Sequence, residues 1–77
     1  MKKISLVQAK ENEGLEIVSI MGGRIATKRL ADMGLMPGVK IKILKKALFG
    51  PIEIEVRGSK LILGRGLASK IFVRQHE

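Results

Sequence analysis

One turn near the middle of the sequence limits what this chain can fold into more than any other feature. Residues 33–38 read Met-Gly-Leu-Met-Pro-Gly and separate a segment of helical period from a segment of alternating period. Glycine adopts the positive φ of a helix C-terminus without steric cost, and a proline three residues later prevents the helix from resuming. Pro37 and Gly38 suit the two central positions of a type II turn. The sequence therefore predicts a helix that ends at Gly34, a rigid turn, and a strand that begins after Gly38.

The segment before the turn has the spacing of a short helix. Within residues 24–33, Ile25 or Ala26 falls on one face with Leu30 and Met33, and charged side chains fall on another. No Ser, Thr, Asp or Asn stands at its start, so its N-cap is weak. Because isolated helices shorter than about 12 residues are marginal, tertiary packing has to hold this one.

Alternation of apolar and polar residues predicts five strands in the rest of the chain. Gly58 and Ser59 form a Gly-x link that favours a type II′ hairpin. Residues 5–9 fit a short turn or a partial strand, and residues 64–70 fit a turn or a single helical turn. The predicted strands are residues 15–20, 39–44, 52–57, 60–63 and 71–74.

Five short strands with one short helix between the first and the second predict a mainly β fold, a small and strongly bent barrel. Closure removes the strand edges that a smaller fragment would expose. The length of 77 residues predicts a single domain, residues 1–77. We expect the Lys40/Lys42 face to meet the Glu53/Glu55 face across neighbouring strands. The main structural alternative is a dimer with a swapped hairpin.

The residue types needed for catalysis are scarce. The chain has no cysteine, and its single histidine is His76, beside the C-terminal Glu77. A tail of these two residues would bind metal only adventitiously, and Glu53 and Glu55 have the pattern of a solvated strand face. Gly64-Arg65-Gly66 lacks the Lys-Ser or Lys-Thr of a phosphate-binding loop. The sequence predicts no enzyme, no catalytic residue, no metal site and no cofactor.

The charge of the chain favours an anionic partner. Fifteen Lys and Arg against seven Asp and Glu give a formal net charge of +8. Nucleic acid, an inner-leaflet surface and an acidic protein face are all suitable partners, and solubility alone is the alternative. RNA binding is the rival function, but stacking platforms need exposed aromatic residues, and the chain has only Phe49 and Phe72. We therefore expect no specific nucleic-acid binding, and no apolar run is long enough to span a membrane.

The order and spacing of these segments resemble the FeoA family. The resemblance rests on Leu-x-x-Met-Gly-Leu-x-Pro-Gly at residues 30–38, the glycine pair at 22–23, the hairpin at 51–58 and the closing strand at 68–73. Gly14 with residues 16–18 matches the first strand of the family, whereas Gly64-Arg65-Gly66 departs from its usual run of charged residues. The resemblance implies an SH3-like barrel. A related barrel occurs as the last domain of some metal-dependent repressors, but this chain has no DNA-binding helical region.

The same resemblance implies a function. Members of the family are small non-enzymatic cytoplasmic proteins that accompany FeoB-type ferrous iron transporters, which carry the GTPase domain. The chain would then bind such a transporter at the inner face of the membrane and modulate its assembly, gating or GTP turnover. It would carry no membrane span of its own, and a weak homo-oligomer is a further alternative.

Residues 29–36, the end of the helix and the turn, are the predicted docking surface. Leu35 and Met36 are expected to be exposed on the stiff turn, and a second apolar pair, Leu48 and Phe49, lies in a loop. The alternative for each pair is that its side chains fold back and plug an end of the barrel. The predicted partner-binding residues are Lys28, Arg29, Met33, Leu35, Met36, Leu48 and Phe49, and the turn residues are Gly34, Pro37 and Gly38.

Overall fold

Six strands and two helices make up the computed structural model, which describes residues 3–76. A 3₁₀ turn at Leu6–Gln8 follows the first strand. Glu77, the second residue of the His76-Glu77 tail that was considered as an adventitious metal site, lies outside the described residues. The elements are β1 Ile4–Ser5, β2 Gly14–Ile20, α1 Gly23–Asp32, β3 Lys40–Lys46, β4 Ile52–Val56, β5 Ser59–Leu63, α2 Arg65–Ala68 and β6 Ile71–Gln75.

All six strands belong to one antiparallel sheet in the order β1-β6-β2-β3-β4-β5. The mainly β prediction, with a short helix between the first two predicted strands, is confirmed. The sixth strand is β1, in which Ile4 pairs with Val73 of β6. Irregular register in β2 and β3 bends the sheet, as bulges do. The swapped-hairpin dimer stays an untested alternative.

Aliphatic side chains from every strand meet in the core. On β3, Ile41 and Ile43 point inward while Lys40 and Lys42 are exposed, which is the alternation that the sequence predicts. On β4, the three apolar residues are buried between glutamates. Largest among the fully buried side chains are Leu6, Leu15, Ile17, Leu30, Leu35, Ile43, Ile52, Ile54, Leu63, Ile71 and Val73.

The β4–β5 hairpin corrects a predicted turn type. Its loop residues are Arg57 and Gly58, with φ of 52° and 79°, and Val56 pairs with Ser59 across the hairpin. Positive φ at both central positions belongs to a type I′ turn, whereas the predicted type II′ turn needs glycine first. Gly58 is the second loop residue here, so the prediction of a type II′ turn is wrong.

Charged residues on the outer face pair with a shifted register. Lys42 lies opposite Glu55, as expected, but Lys40 lies opposite Glu16 of β2. The irregularity between Ile43 and Lys45 brings Lys45 opposite Glu53, so the lysine that faces Glu53 is not the predicted one.

Neither helix is a candidate for a membrane span. Of the part of the chain that the structure describes, no helix has both the length and the apolar content to cross a bilayer.

Candidate docking surface

Two backbone hydrogen bonds fix the end of α1. The N–H of Gly34 donates to the carbonyl of Ala31 at 2.9 Å, and the N–H of Leu35 donates to the carbonyl of Leu30 at 2.8 Å. Gly34 has a φ of +86°. These bonds and this left-handed residue make a Schellman motif, which satisfies helix carbonyls that would otherwise lack partners.

A second turn follows at once and attaches the chain to the sheet. The N–H of Val39 donates to the carbonyl of Met36 at 3.1 Å across Pro37 and Gly38, and Gly38 has a φ of +93°. Both features are those of a type II turn. Gly38 also donates to the carbonyl of Ile17 at 2.7 Å. The residues between α1 and β3 are therefore held at both ends.

Replacing Gly34 with valine is expected to lower the free energy of unfolding by about 1–2 kcal/mol, because a β-branched residue is strained in the left-handed region. Beyond the neighbouring residues of the chain, no atom lies within 4 Å of where its Cβ would stand, so the main cost is strain of the backbone. Chemical denaturation measures it. The control is Gly66→Ala within α2, where φ is not positive and nothing lies within 4 Å of the added Cβ, and we expect no loss there. An unchanged unfolding midpoint for the valine variant would contradict the Schellman assignment.

Leu35 is buried, so the prediction that it is exposed is wrong. Its side chain has 0% exposure, and so does that of Leu30. A Schellman motif commonly packs the second residue after the helix against the residue that accepts its hydrogen bond, and these are Leu35 and Leu30. The alternative, that the side chain folds back into the barrel, holds for Leu35. Met33 is also partly buried and packs against the core.

Three of the predicted residues near the turn do reach the surface. Lys28 and Arg29 are exposed, and Met36 is 40% exposed. Lys28 Nζ lies 3.8 Å from the Asp32 carboxylate, a solvated pair one helical turn apart. Arg29 forms no ion pair within residues 3–76, so its charge is available to a partner.

Sequence reasoning missed the most exposed apolar residue of α1. Ile25 is 78% exposed, while Ala26 is buried. The helical spacing in the sequence indicates this difference. Ala26 stands four residues before Leu30 and seven before Met33, which places it on their buried face, whereas Ile25 is rotated about 100° away from Ala26. Met21, also exposed, precedes the helix. We define the α1 surface as Ile25, Lys28 and Arg29, with Met21 before the helix and Met36 after it.

The second predicted pair lies elsewhere on the molecule. Leu48 and Phe49 are in the loop of residues 47–51, which follows β3, whereas the Met36 turn precedes β3. A strand of seven residues spans roughly 20 Å. The predicted partner-binding residues therefore form two separate surfaces and one buried position.

Arg65 of α2 holds the loop of residues 47–51. Its guanidinium donates from Nη2 to the carbonyls of Ala47 and Leu48, at 2.6 and 2.7 Å. Arg65 stands in the glycine-flanked segment that departs from the family pattern, and this segment forms the single helical turn that the sequence allowed.

Sites of other kinds find little support in the described residues. Residues 3–76 contain no group of three or more His, Cys, Asp or Glu side chains placed to hold a metal ion. For RNA stacking, Phe49 is exposed, but Phe72 is partly buried with Lys3 Nζ 5.5 Å from the centre of its ring.

Comparisons with known proteins agree with the architecture. Residues 4–75 match the model of the FeoA domain. The chain is 40% identical over 72 residues to a putative Fe(2+) transport protein A of Methanocaldococcus jannaschii, covering 94% of this chain and 87% of the relative. A crystal structure of an iron uptake regulatory protein (FeoA) superposes with a TM-score of 0.89 at 34% identity, covering 99% of this chain and all of that one.

A manganese-dependent transcriptional repressor has a similar fold. It superposes with a TM-score of 0.90 at 18% identity, and the match covers 99% of this chain but 38% of the repressor. At this identity the likeness concerns the fold alone. The resemblance seen in the sequence and the SH3-like fold that it implies are confirmed, and the chain belongs to the FeoA family.

Proposed function

We propose that the chain is a non-enzymatic accessory protein of a ferrous iron uptake system, and that it docks onto the cytosolic part of a FeoB-type transporter. The observation that carries the proposal is the α1 surface: exposed Ile25 beside two exposed cations, on a helix whose end is locked by hydrogen bonds. Family membership and the name of the M. jannaschii relative support iron transport as the process.

Rigidity makes this surface suitable for docking. The Schellman motif and the type II turn fix the backbone from Leu30 to Val39, so little conformational entropy is left to lose on binding. An exposed isoleucine on a fixed helix is an anchor that can fill an apolar pocket of a partner. Binding there would alter the assembly, the gating or the GTP turnover of the transporter.

Charge selects the kind of partner. Lys28, Arg29 and Arg24 are exposed on α1, and Asp32 is the only acid of the helix. With a chain charge of +8, long-range attraction favours an acidic face and speeds its encounter. We therefore propose an acidic patch with an apolar pocket as the complementary site on the transporter.

Uptake of ferrous iron tests the function. Cells that lack the chain are expected to take up Fe²⁺ more slowly, and the wild-type gene should restore the rate while transporter levels stay equal. The same cells should show a changed rate of GTP hydrolysis or a changed amount of assembled transporter. Uptake that does not depend on the chain, at equal transporter levels, would contradict the proposal.

A further inference from the structure

Loop 47–51 carries the two most exposed large apolar side chains in the described part of the chain. Leu48 is 79% exposed and its neighbour Phe49 is 89% exposed. The open depression beside the loop is lined by Lys45, Ala47, Pro51, Glu53 and Ile62, and neither member of the pair contributes to it. Exposure of this degree means that both side chains extend into solvent. We propose that this loop inserts into the headgroup region of an anionic membrane and gives the chain a direct lipid contact.

Two carbonyls of the loop already have hydrogen-bond partners within the protein. A carbonyl that loses its water without gaining a partner is costly to transfer into a less polar region. The carbonyls of Ala47 and Leu48 already accept hydrogen bonds from Arg65. Because the same guanidinium holds the first two residues of the loop, less conformational entropy is lost when the apolar pair is bound.

One basic residue on the outer face of the sheet, Lys45, adjoins the loop. Lys45 lies opposite Glu53 next to the loop, whereas Lys42 and Lys60 flank Glu55 further along the same face, toward the β4–β5 turn. Glu53 pairs with Lys60 at 3.4 Å, so the local excess of positive charge is small. The net charge of +8 over the whole chain supplies the broader attraction to anionic lipid. An exposed apolar loop on a strongly basic chain fits the membrane interface, where apolar burial and electrostatic attraction act together.

Area and charge favour a lipid surface over a protein. Even at the roughly 150–250 Å² that an aromatic side chain buries, two adjacent residues fall well short of the roughly 800 Å² that each partner contributes to a stable protein interface. A second copy of the chain would carry the same +8 charge and would be repelled. The lipid contact does not rest on the proposed docking of α1, because it needs no transporter.

Sedimentation with protein-free vesicles tests the proposal. The wild-type chain is expected to sediment with vesicles of phosphatidylcholine and phosphatidylglycerol, more weakly with phosphatidylcholine alone, and less as salt rises. The double variant Leu48→Ser with Phe49→Ser should lose about tenfold or more of its partitioning. The control is Ile25→Ser, which removes an equally exposed side chain from α1 and should leave sedimentation unchanged.

A fluorescent variant gives a second measurement that does not depend on the double variant. The chain contains no tryptophan, so Phe49→Trp places a single reporter in the loop. Its emission should shift to shorter wavelength on addition of anionic vesicles and shift less with neutral ones. Circular dichroism and melting first establish that each variant is folded.

Three results would overturn the proposal. The first is wild-type chain that does not sediment with anionic vesicles. The second is a folded double variant that binds as well as wild type, which would make the attraction purely electrostatic. The third is a double variant that loses transporter capture while the wild-type chain binds no vesicles. That result would assign the loop to a protein interface.

Discussion

Leu35→Ala is expected to lower the free energy of unfolding by about 2–5 kcal/mol, because it removes most of a fully buried side chain and leaves a cavity. The total stability of such a domain is on the order of 5–15 kcal/mol, so this is a large share of it. Denaturation by urea, followed by circular dichroism, measures the change as a shift of the midpoint at constant slope.

Met36→Ala is the matched control, since Met36 is the next residue on the same turn. It is 40% exposed and lies outside the core, so we expect a loss well under that of Leu35→Ala. Equal losses for the two variants would contradict the assignment of one side chain to the core and the other to the surface. The comparison of the two variants also matters for docking experiments. Because replacing Leu35 destabilises the fold, a loss of binding in such a variant would not by itself identify a docking residue.

The sequence contained the signal for the burial of Leu35. Gly34 is recognisable as a helix C-cap, and the Schellman motif that such a glycine makes also places an apolar residue at the next position against the helix. The glycine C-cap was predicted correctly, whereas the packing of Leu35 against the helix was not predicted. The phase of α1 was readable in the same way, because Ala26 fits the spacing to Leu30 and Met33 better than Ile25 does.

Other features depended on contacts between distant segments. Local alternation predicts the strands, but the register of β3 against β4 depends on an irregularity after Ile43, and no residue there identifies it in the sequence. The two residues of β1 are a strand only because β6 lies beside them. The hydrogen bonds from Arg65 to the loop of residues 47–51 join segments 17 and 18 residues apart, and the sequence gives no sign of them.

Ile25→Ser combined with Arg29→Gln is expected to weaken capture of the FeoB-type transporter by about a hundredfold, the size expected when an apolar anchor and an arginine at an interface centre are both lost. Both side chains are exposed, so folding should be intact. Capture of the detergent-solubilised transporter by immobilised chain gives the affinity, and uptake of ferrous iron in cells that lack the native chain gives the consequence.

The matched control is Ile62→Ser combined with Lys45→Gln. It removes one exposed isoleucine and one exposed cation, so the net charge changes equally, but on β5 and β3 instead of α1. This control should capture the transporter as well as wild type does. If both double variants lose capture to the same extent, charge alone attracts the partner and the α1 surface has no special role.

Direct binding of purified wild-type chain to a purified FeoB-type transporter tests the central claim. The transporter, with its GTPase domain, is titrated with labelled chain in detergent at near-physiological salt. We expect a saturable signal that weakens as the salt concentration rises, because exposed cations steer the encounter. A binding free energy near 8 kcal/mol corresponds to a Kd of about 1 μM. Absence of saturable binding at tens of micromolar chain, roughly ten times that concentration or more, would contradict the account.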